Sequence, residues 1–369
     1  MTTYIHELTD WPEFRWDNAH LAAPLAAARH LQGRLIGRME ALGFGVREEA
    51  VLRTLTEDVL KSSEIEGEAL DADQVRSSVA RRLGIDIGGL HPADRYVEGV
   101  VEMMLDATQH FDQPLTAERL FDWHASLFPT GRSGMHRITV GTWRDDRTPM
   151  QVVSGPVGRE RVHFEAPVAA RLDEEMRRLL EWFNGGAPTE PVLKAALAHL
   201  WFVTIHPFDD DNGRIARAIA DMALARSEGS SQRFYSMSAR IREERGEYYR
   251  ILEHTQQGTL DVTPWMAWFL GCLTRAIEGA QAGLSSVIAR ARCWEKLRDV
   301  PLNDRQRLVI SRLIDGFEGQ LTTSKWAALT KSSQDTALRD IQQLVDRGVL
   351  VRNPAGGRST SYALALLEA

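Results

Sequence analysis

Apolar residues along most of this chain repeat at helical spacing. Leu21, Leu25, Leu31 and Ile36 predict a helix over residues 18–42. Val51, Leu55 and Val59 predict a second over 47–66, which stops at Gly67, a residue suited to the position just past a helix end. Helical patterning continues over 71–112 with a break at Gly88-Gly89, and Thr116 is the cap expected to open a helix reaching Phe128. Residues 193–203 are apolar too densely for one face of a surface helix, so they predict a buried helix, and Pro207 cannot continue it. Ile215, Ile219 and Met222 then mark the core face of the next helix. Strand-like stretches are few. Residues 150–153 and 161–164 flank the turn-rich 154–158 and predict a hairpin.

Chemistry concentrates where the buried helix ends, at Ile205-His206-Pro207-Phe208-Asp209-Asp210-Asp211-Asn212-Gly213-Arg214-Ile215-Ala216-Arg217. Asp211 and Asn212 are both types that cap helix starts, so a short acidic loop empties into a helix N-terminus, where free N–H groups and the dipole favour an anion. Arg214 and Arg217, three apart on the first turn, add cations whose forks match phosphate oxygens. Asp210 is a hard ligand of the kind that holds Mg²⁺ between phosphates, and a neutral His206 is a base for an attacking hydroxyl. Each feature alone is ordinary: a core histidine, a solvated turn, a wet helix face. Their coincidence in one turn of chain points to a polyphosphate site. A calcium loop is excluded by register, since counting Gly213 as its sixth position puts Phe208 first and Ile219 twelfth, where carboxylates are needed.

These residues resemble the Fic motif, H-x-F-x-[D/E]-G-N-G-R-x-x-R, of enzymes that transfer a nucleoside monophosphate, usually AMP, to a protein hydroxyl. The resemblance implies that His206 is the general base, that Asp210 holds Mg²⁺, that Asp211, Asn212, Gly213 and Arg214 contact the phosphates of ATP, and that Arg217 holds the γ-phosphate. Phe208 would pin the loop to the core. Upstream, Ser62-Ser63-Glu64-Ile65-Glu66-Gly67 is similar to the family's inhibitory motif, [S/T]-x-x-x-E-[G/N], with Ser62, Glu66 and Gly67 at the matching positions. By that resemblance Glu66 pairs with Arg217 and takes the space of the γ-phosphate. The hairpin stands where the family has a flap that holds a target segment by strand addition, and the resemblance allows Tyr248 or Tyr249 to line the nucleoside pocket. One position departs: the motif's first Gly is Asp211. Asp tolerates positive φ better than most residues but adds a charge that, some 5 Å from a phosphate, repels it by about 1–3 kcal/mol. It escapes this by turning to solvent, by capping the helix, or by joining Asp210 at a metal.

Toward the C-terminus, 302–314 and 323–329 predict helices, Ser332 or Ser333 caps a third reaching about Asp346, and 349–351 and 362–364 predict strands around Asn353-Pro354-Ala355-Gly356-Gly357-Arg358. This order looks like a winged helix. Its charge is only mildly basic, which leaves DNA, a protein or a second copy of the chain (a homodimer) as partners through residues 301–366.

Hydrophobic content of 43% and charged content of 26% describe an ordinary globular chain of 369 residues, long enough for several cores. A formal net charge of −7 implies no bulk attraction to nucleic acid or to an anionic membrane. Cys272 and Cys293 have no metal-ligand spacing, and there is neither a basic n-region nor an apolar h-region at the start nor any spanning run, so a cytoplasmic protein is expected. The expectation is a mainly α protein: an N-terminal helical region over 1–112, a Fic-type core with a small β-hairpin flap over 113–298, and a winged-helix C-terminal domain over 299–369. Its expected function is AMP transfer from ATP, with Mg²⁺, to a Ser, Thr or Tyr hydroxyl of a protein, itself included, autoinhibited by Glu66 and weakened by Asp211. The other reading is a DNA-binding transcriptional regulator whose Fic part senses a nucleotide with little or no transfer.

Overall fold

The computed structural model describes residues 3–365 apart from 43, 88, 146–149, 157, 187–188, 299, 315–316, 318 and 354–359. Gly88 of the expected break, Val157 of the hairpin turn and residues 354–358 of the C-terminal loop therefore lie outside the described residues. The chain divides into two units, 1–281 and 282–369.

In the first unit the Asp17 carboxylate accepts from the N–H groups of Ala19 and His20 and opens α1 (Asn18–Glu40). Helix α2 (Phe44–Ile65) runs to Gly67, whose φ of 90° turns the chain away. Asp71 and Asp94 cap α3 (Ala72–Leu83) and α4 (Arg95–Gln109) by accepting from N–H groups of their first turns, and Thr116 caps α5 (Ala117–Leu127) as expected. Two residue pairs that alternation did not reveal, β1 (Arg132–Ser133) and β2 (His136–Arg137), form a small antiparallel ladder. Two-residue strands are too short to carry a period. The expected hairpin is β3 (Gln151–Ser154) against β4 (Arg161–Glu165), and its inner face, Phe164 with Val152, packs on Tyr4 near the N-terminus.

Helices α6 (Leu172–Asn184), α7 (Pro191–Ile205) and α8 (Asn212–Glu228) follow, then α9 (Met237–Glu243), α10 (Arg245–Gln256) and α11 (Thr263–Lys296). Every residue of α7 from Val192 to Ile205 except Lys194 is buried, as its unbroken apolar run requires. Ile215, Ile219 and Met222 of α8 are fully buried against it, each contributing about 1.5–3 kcal/mol. Helix α2 packs across α8 and α9, and Asp58 of α2 accepts from Ser236 Oγ and from the Ser238 N–H at the start of α9. That bond fixes the register of α2, and so of Glu66 at its end. No helix among the described residues is long and apolar enough to cross a membrane.

The second unit has α12 (Asp304–Ile314), β5 (Leu321–Thr322), α13 (Thr323–Thr330), α14 (Gln334–Asp346), β6 (Leu350–Arg352) and β7 (Ser361–Leu364). Its antiparallel sheet is ordered β5-β7-β6, one strand more than the two expected, because β5 is again only two residues long. Trp326, Ile310, Ile341 and Leu344 fill its core. Ser333 caps α14, and Arg305 pairs with buried Asp340 at 2.7 Å.

Candidate active site

Helix α7 ends at His206, which turns left-handed (φ 52°, ψ 59°), and the chain enters α8 through Asp211, left-handed again (φ 60°, ψ 16°). Each such non-glycine residue costs on the order of 1–2 kcal/mol, so the loop between them must be held. Asn212 holds it from inside, accepting from the Phe208 N–H at 2.9 Å and donating to the Phe208 carbonyl at 2.8 Å. Phe208 is fully buried and stacks on His124 with ring centroids 4.2 Å apart. Arg144, also buried, donates from Nε to the His206 carbonyl at 2.8 Å and from Nη2 to the Pro167 carbonyl at 2.5 Å, while its backbone N–H donates to Pro207 O. Arg144 thus ties the loop to the chain just beyond β4. Neither His124 nor Arg144 carries a sequence signal beyond neighbouring aromatic residues.

The His206 ring lies with Nδ1 3.3 Å from the Val203 carbonyl, which places the proton on Nδ1 and leaves Nε2 as an acceptor. Burial pushes its pKa down to about 4; the Val203 carbonyl opposes this and Arg144 adds to it. At neutral pH the imidazole is uncharged and able to accept a proton. Asp210 is exposed, accepting from the Asp211 N–H at 2.7 Å and from Ser133 Oγ. Among the described residues no group of three His, Cys, Asp or Glu is arranged to hold a metal ion. A single exposed carboxylate is nevertheless the oxygen donor that Mg²⁺ shares with phosphates and water, so Asp210 fits the expected ion.

The two arginines, expected to add phosphate-matching cations to one turn, are each buried and go to different partners. Arg217 donates from Nε to Ser62 Oγ and from Nη2 to the Ser62 carbonyl, both at 2.9 Å. Its Nη1 lies 2.8 Å from Glu66 Oε1, off the N–H axis, as an ion pair rather than an aligned hydrogen bond. The Glu66 carboxylate rests on the N-terminus of α8 so closely that a Cβ on Gly213 would come within 2.4 Å of it. Glycine at 213 is what leaves room for an anion there. Ser62 and Glu66 are thus brought to Arg217, and Glu66 to Gly213, while Gly67 turns the chain away at the end of α2.

Arg214 donates to Asp211 at 2.9 Å, to Tyr96 Oη at 2.6 Å and to Glu68 at 3.0 Å, and lies over the Tyr96 ring; its buried Nε has no acceptor among the described residues. Tyr96 and Glu68 had no signature in the sequence, since their role exists only where α4 and the end of α2 meet α8. Asp211 turns neither to solvent nor to the first-turn N–H groups. Although it occupies the capping position, its side chain makes no capping bond and turns instead to Arg214, buried. Burial raises its pKa to about 7; Arg214 opposes the rise, and Asp210, Glu66 and Glu68 add to it.

Two outcomes follow from this geometry. The unfolded chain releases the Asp211 proton near pH 4 and the folded chain holds it to about 7, so ionisation costs stability as pH rises through that window. Asp211→Asn is therefore expected to be more stable than wild type above pH 7, by about 1–3 kcal/mol, and to lose that advantage toward pH 4. Thermal melts of both proteins from pH 4 to 8 measure this, and parallel profiles would show Asp211 ionising normally. Asp211→Gly, which removes a left-handed side chain and frees one face of Arg214, is expected to raise nucleotide affinity about tenfold, read by calorimetry with Mg-ATP in a background lacking Glu66.

Residues 114–224 match the model of the Fic/DOC family, and residues 4–85 match that of a domain of unknown function (DUF4172). A protein adenylyltransferase Fic of Nematostella vectensis is 23% identical over 242 residues, which cover 63% of this chain and 50% of that protein. One of Drosophila willistoni is 25% identical over 225 residues, covering 58% and 39%. The chain thus spans about half the length, or less, of the curated relatives it matches. A crystal structure of a Fic family protein from Desulfovibrio desulfuricans superposes with a TM-score of 0.54 at 22% identity, covering 94% of this chain and 95% of that one, and shares its fold. The loop from His206 to Arg217 falls within the matched segment, and this chain is a mainly α-helical protein that carries a Fic/DOC domain over residues 114–224.

Proposed function

We propose that this protein transfers AMP from ATP to a hydroxyl of a protein, and that its own Glu66 restrains the reaction. The observation that carries the reading is the Glu66 carboxylate seated over Gly213 and paired with Arg217. A site that already binds one anion at a helix N-terminus is built for anions, and a γ-phosphate on Arg217 would compete for that place. The hydroxyl oxygen of the target attacks the α-phosphorus, the α–β phosphoanhydride breaks with pyrophosphate leaving, and the hydroxyl proton passes to His206 Nε2. Arg214, whose Nε has no acceptor among the described residues, offsets charge on the phosphates, and backbone N–H groups at Asn212 and Gly213 face them. Asp210 would hold Mg²⁺, which when bound neutralises phosphate charge. The adenylyltransferase names of the relatives support the class of reaction. Incubation with α-labelled ATP, with and without Mg²⁺, tests it: Mg-dependent label on protein is the expected result, and none in either wild type or Glu66→Gly would sink the reading.

Within the second unit we read residues 299–369 as a winged-helix-like module that selects a partner, DNA or protein, rather than taking part in transfer. Its own core of Trp326, Ile310 and Ile341 supports its independence. Deleting residues 301–369 is expected to leave self-modification within about twofold while changing which targets, or which DNA, the protein engages. Loss of all ATP turnover in a folded truncation would refute the separation. The regulator reading gains one observation, the pairing of Arg214 with both Asp211 and Glu68, and duplex binding without any transfer would favour it.

A further inference from the structure

At the end of α2 the chain makes one tight turn. The N–H groups of Glu66 and Glu68 both donate to the Ser63 carbonyl, at 3.1 and 3.0 Å, and that of Gly67 donates to the Glu64 carbonyl at 3.2 Å. Ile65, fully buried, anchors the start of the turn, and Gly67 with its φ of 90° supplies the reversal. Two carboxylates two residues apart are thereby presented to α8 together. Glu66 reaches Arg217 at 2.8 Å, and Glu68 reaches Arg214, one helical turn nearer the start of α8, at 3.0 Å.

Arg214 is fully buried, and its donors are unequally used. Nη1 donates to Tyr96 Oη at 2.6 Å and to Asp211 Oδ2 at 2.9 Å, Nη2 donates to Glu68 Oε2 at 3.0 Å, and the buried Nε has no acceptor among the described residues. Nε and Nη2 share one edge of the guanidinium, the edge that takes two oxygens of a phosphate side by side. Glu68 therefore fills half of that edge and leaves the other half a buried donor without a partner, an arrangement that costs free energy until an anion with two oxygens replaces it. Tyr96 belongs to α4 and Asp211 to the entry of α8, so both are held by packed helices. Of the three partners only Glu68 is exposed, and it is carried on the same turn as Glu66.

We propose, resting on the transfer reading above, that Glu68 is a second restraining carboxylate: it holds the phosphate edge of Arg214 while Glu66 holds Arg217, so residues 66–68 close both cations of the site at once. Carboxylate and phosphate carry the same sign and cannot share that edge. Removing Glu66 alone frees Arg217 and leaves Arg214 engaged, so the Glu66→Gly protein is only half released. A triphosphate that displaces Glu68 gains a bidentate contact on Arg214 and satisfies its unmatched Nε in the same step. A partner that draws this one turn away from α8 would release both arginines together.

The experiment is calorimetry with Mg-ATP on the full chain carrying Glu66→Gly, alone and combined with Glu68→Ala or with Glu64→Ala, with transfer from α-labelled ATP measured on the same proteins. Glu68 is exposed, so its truncation leaves the fold intact. Glu64 is the control, a carboxylate at the same helix end that pairs with Lys61 and Arg242 instead. Adding Glu68→Ala is expected to tighten binding about tenfold over Glu66→Gly alone, and adding Glu64→Ala to change it by less than about twofold. Transfer at ATP below saturation is expected to rise in the same proportion. Equal affinity with and without Glu68→Ala overturns the second restraint and leaves the transfer reading standing. An equal gain from Glu64→Ala also overturns it, because the effect would then be one of net charge. Tighter binding with Glu68→Ala but no label from any of the proteins upholds the restraint on the nucleotide and overturns transfer, and no binding to any of them overturns both.

Discussion

Glu66→Gly is expected to raise nucleotide transfer on the order of 100-fold at saturating Mg²⁺ and ATP. The carboxylate lies against Gly213 at the N-terminus of α8 with Arg217 as its counter-ion, the place for which a γ-phosphate would compete. Two like charges about 4 Å apart repel by about 4 kcal/mol at an effective dielectric near 20, which is up to about three decades. The Glu66 side chain is 27% exposed and free to swing aside at some cost, so the smaller figure is the expected one. The same substitution removes the charge partner of a buried arginine, whose bonds to Ser62 remain. The variant is thus expected to melt at a lower temperature than wild type and to recover that loss as ATP is added, because a ligand that binds only the folded state stabilises it. Equal transfer rates in the two proteins would show that Glu66 does not restrain the site.

His206→Ala is expected to reduce transfer by about 10²–10⁴-fold at neutral pH, the usual worth of a positioned general base. His206 is only half-buried and its ring makes one long hydrogen bond, so the fold should survive the change. Because burial lowers its pKa to about 4, with Arg144 contributing, His206 is in its basic form throughout the physiological range. Transfer by the Glu66→Gly protein is therefore expected to stay level from pH 8 to 6 on account of this group, and to fall only as pH approaches 4. Stability follows the same group. Between the unfolded pKa near 6.5 and the folded value of about 4, the unfolded chain binds the proton and the folded one does not, so stability is lost as pH falls through that window. His206→Ala should be correspondingly less acid-sensitive. Rates measured from pH 5 to 8 and melts from pH 4 to 8 check both. A half-point for transfer near 6.5 would mean the base is solvated and unperturbed.

Much of this protein is written in local sequence. The unbroken apolar run before His206 can only be a buried helix, since no surface face could absorb it, and the Ile215, Ile219 and Met222 stripe fixes which side of the next helix meets it. Caps at Asp17, Asp71, Asp94, Thr116 and Ser333 start helices because a short polar side chain reaches its own first turn, an interaction within a few residues. The spacing from His206 to Arg217 put base, carboxylate, glycine and cations on one turn of chain for the same reason.

What the sequence could not decide was which distant groups those residues meet. Arg214 and Arg217 are identical in type and one turn apart, yet one faces Glu66 and Ser62 while the other faces Asp211, Glu68 and Tyr96, and that split depends on how α2 and α4 cross α8. Asp211 was legible as a departure from the motif, but its burial, and with it the rise of its pKa to about 7 to which Asp210, Glu66 and Glu68 add, arises only when the fold shuts water away from it. Arg144 reaches two carbonyls from separate segments, and His163 meets Ser154 and Glu253 only because a bulge turns it and α10 lies alongside. Capping and periodicity act over a few residues and can be read along the chain. Charge pairing, desolvation and side-chain relays act through space between segments separated by tens of residues, and only the tertiary structure brings those segments together.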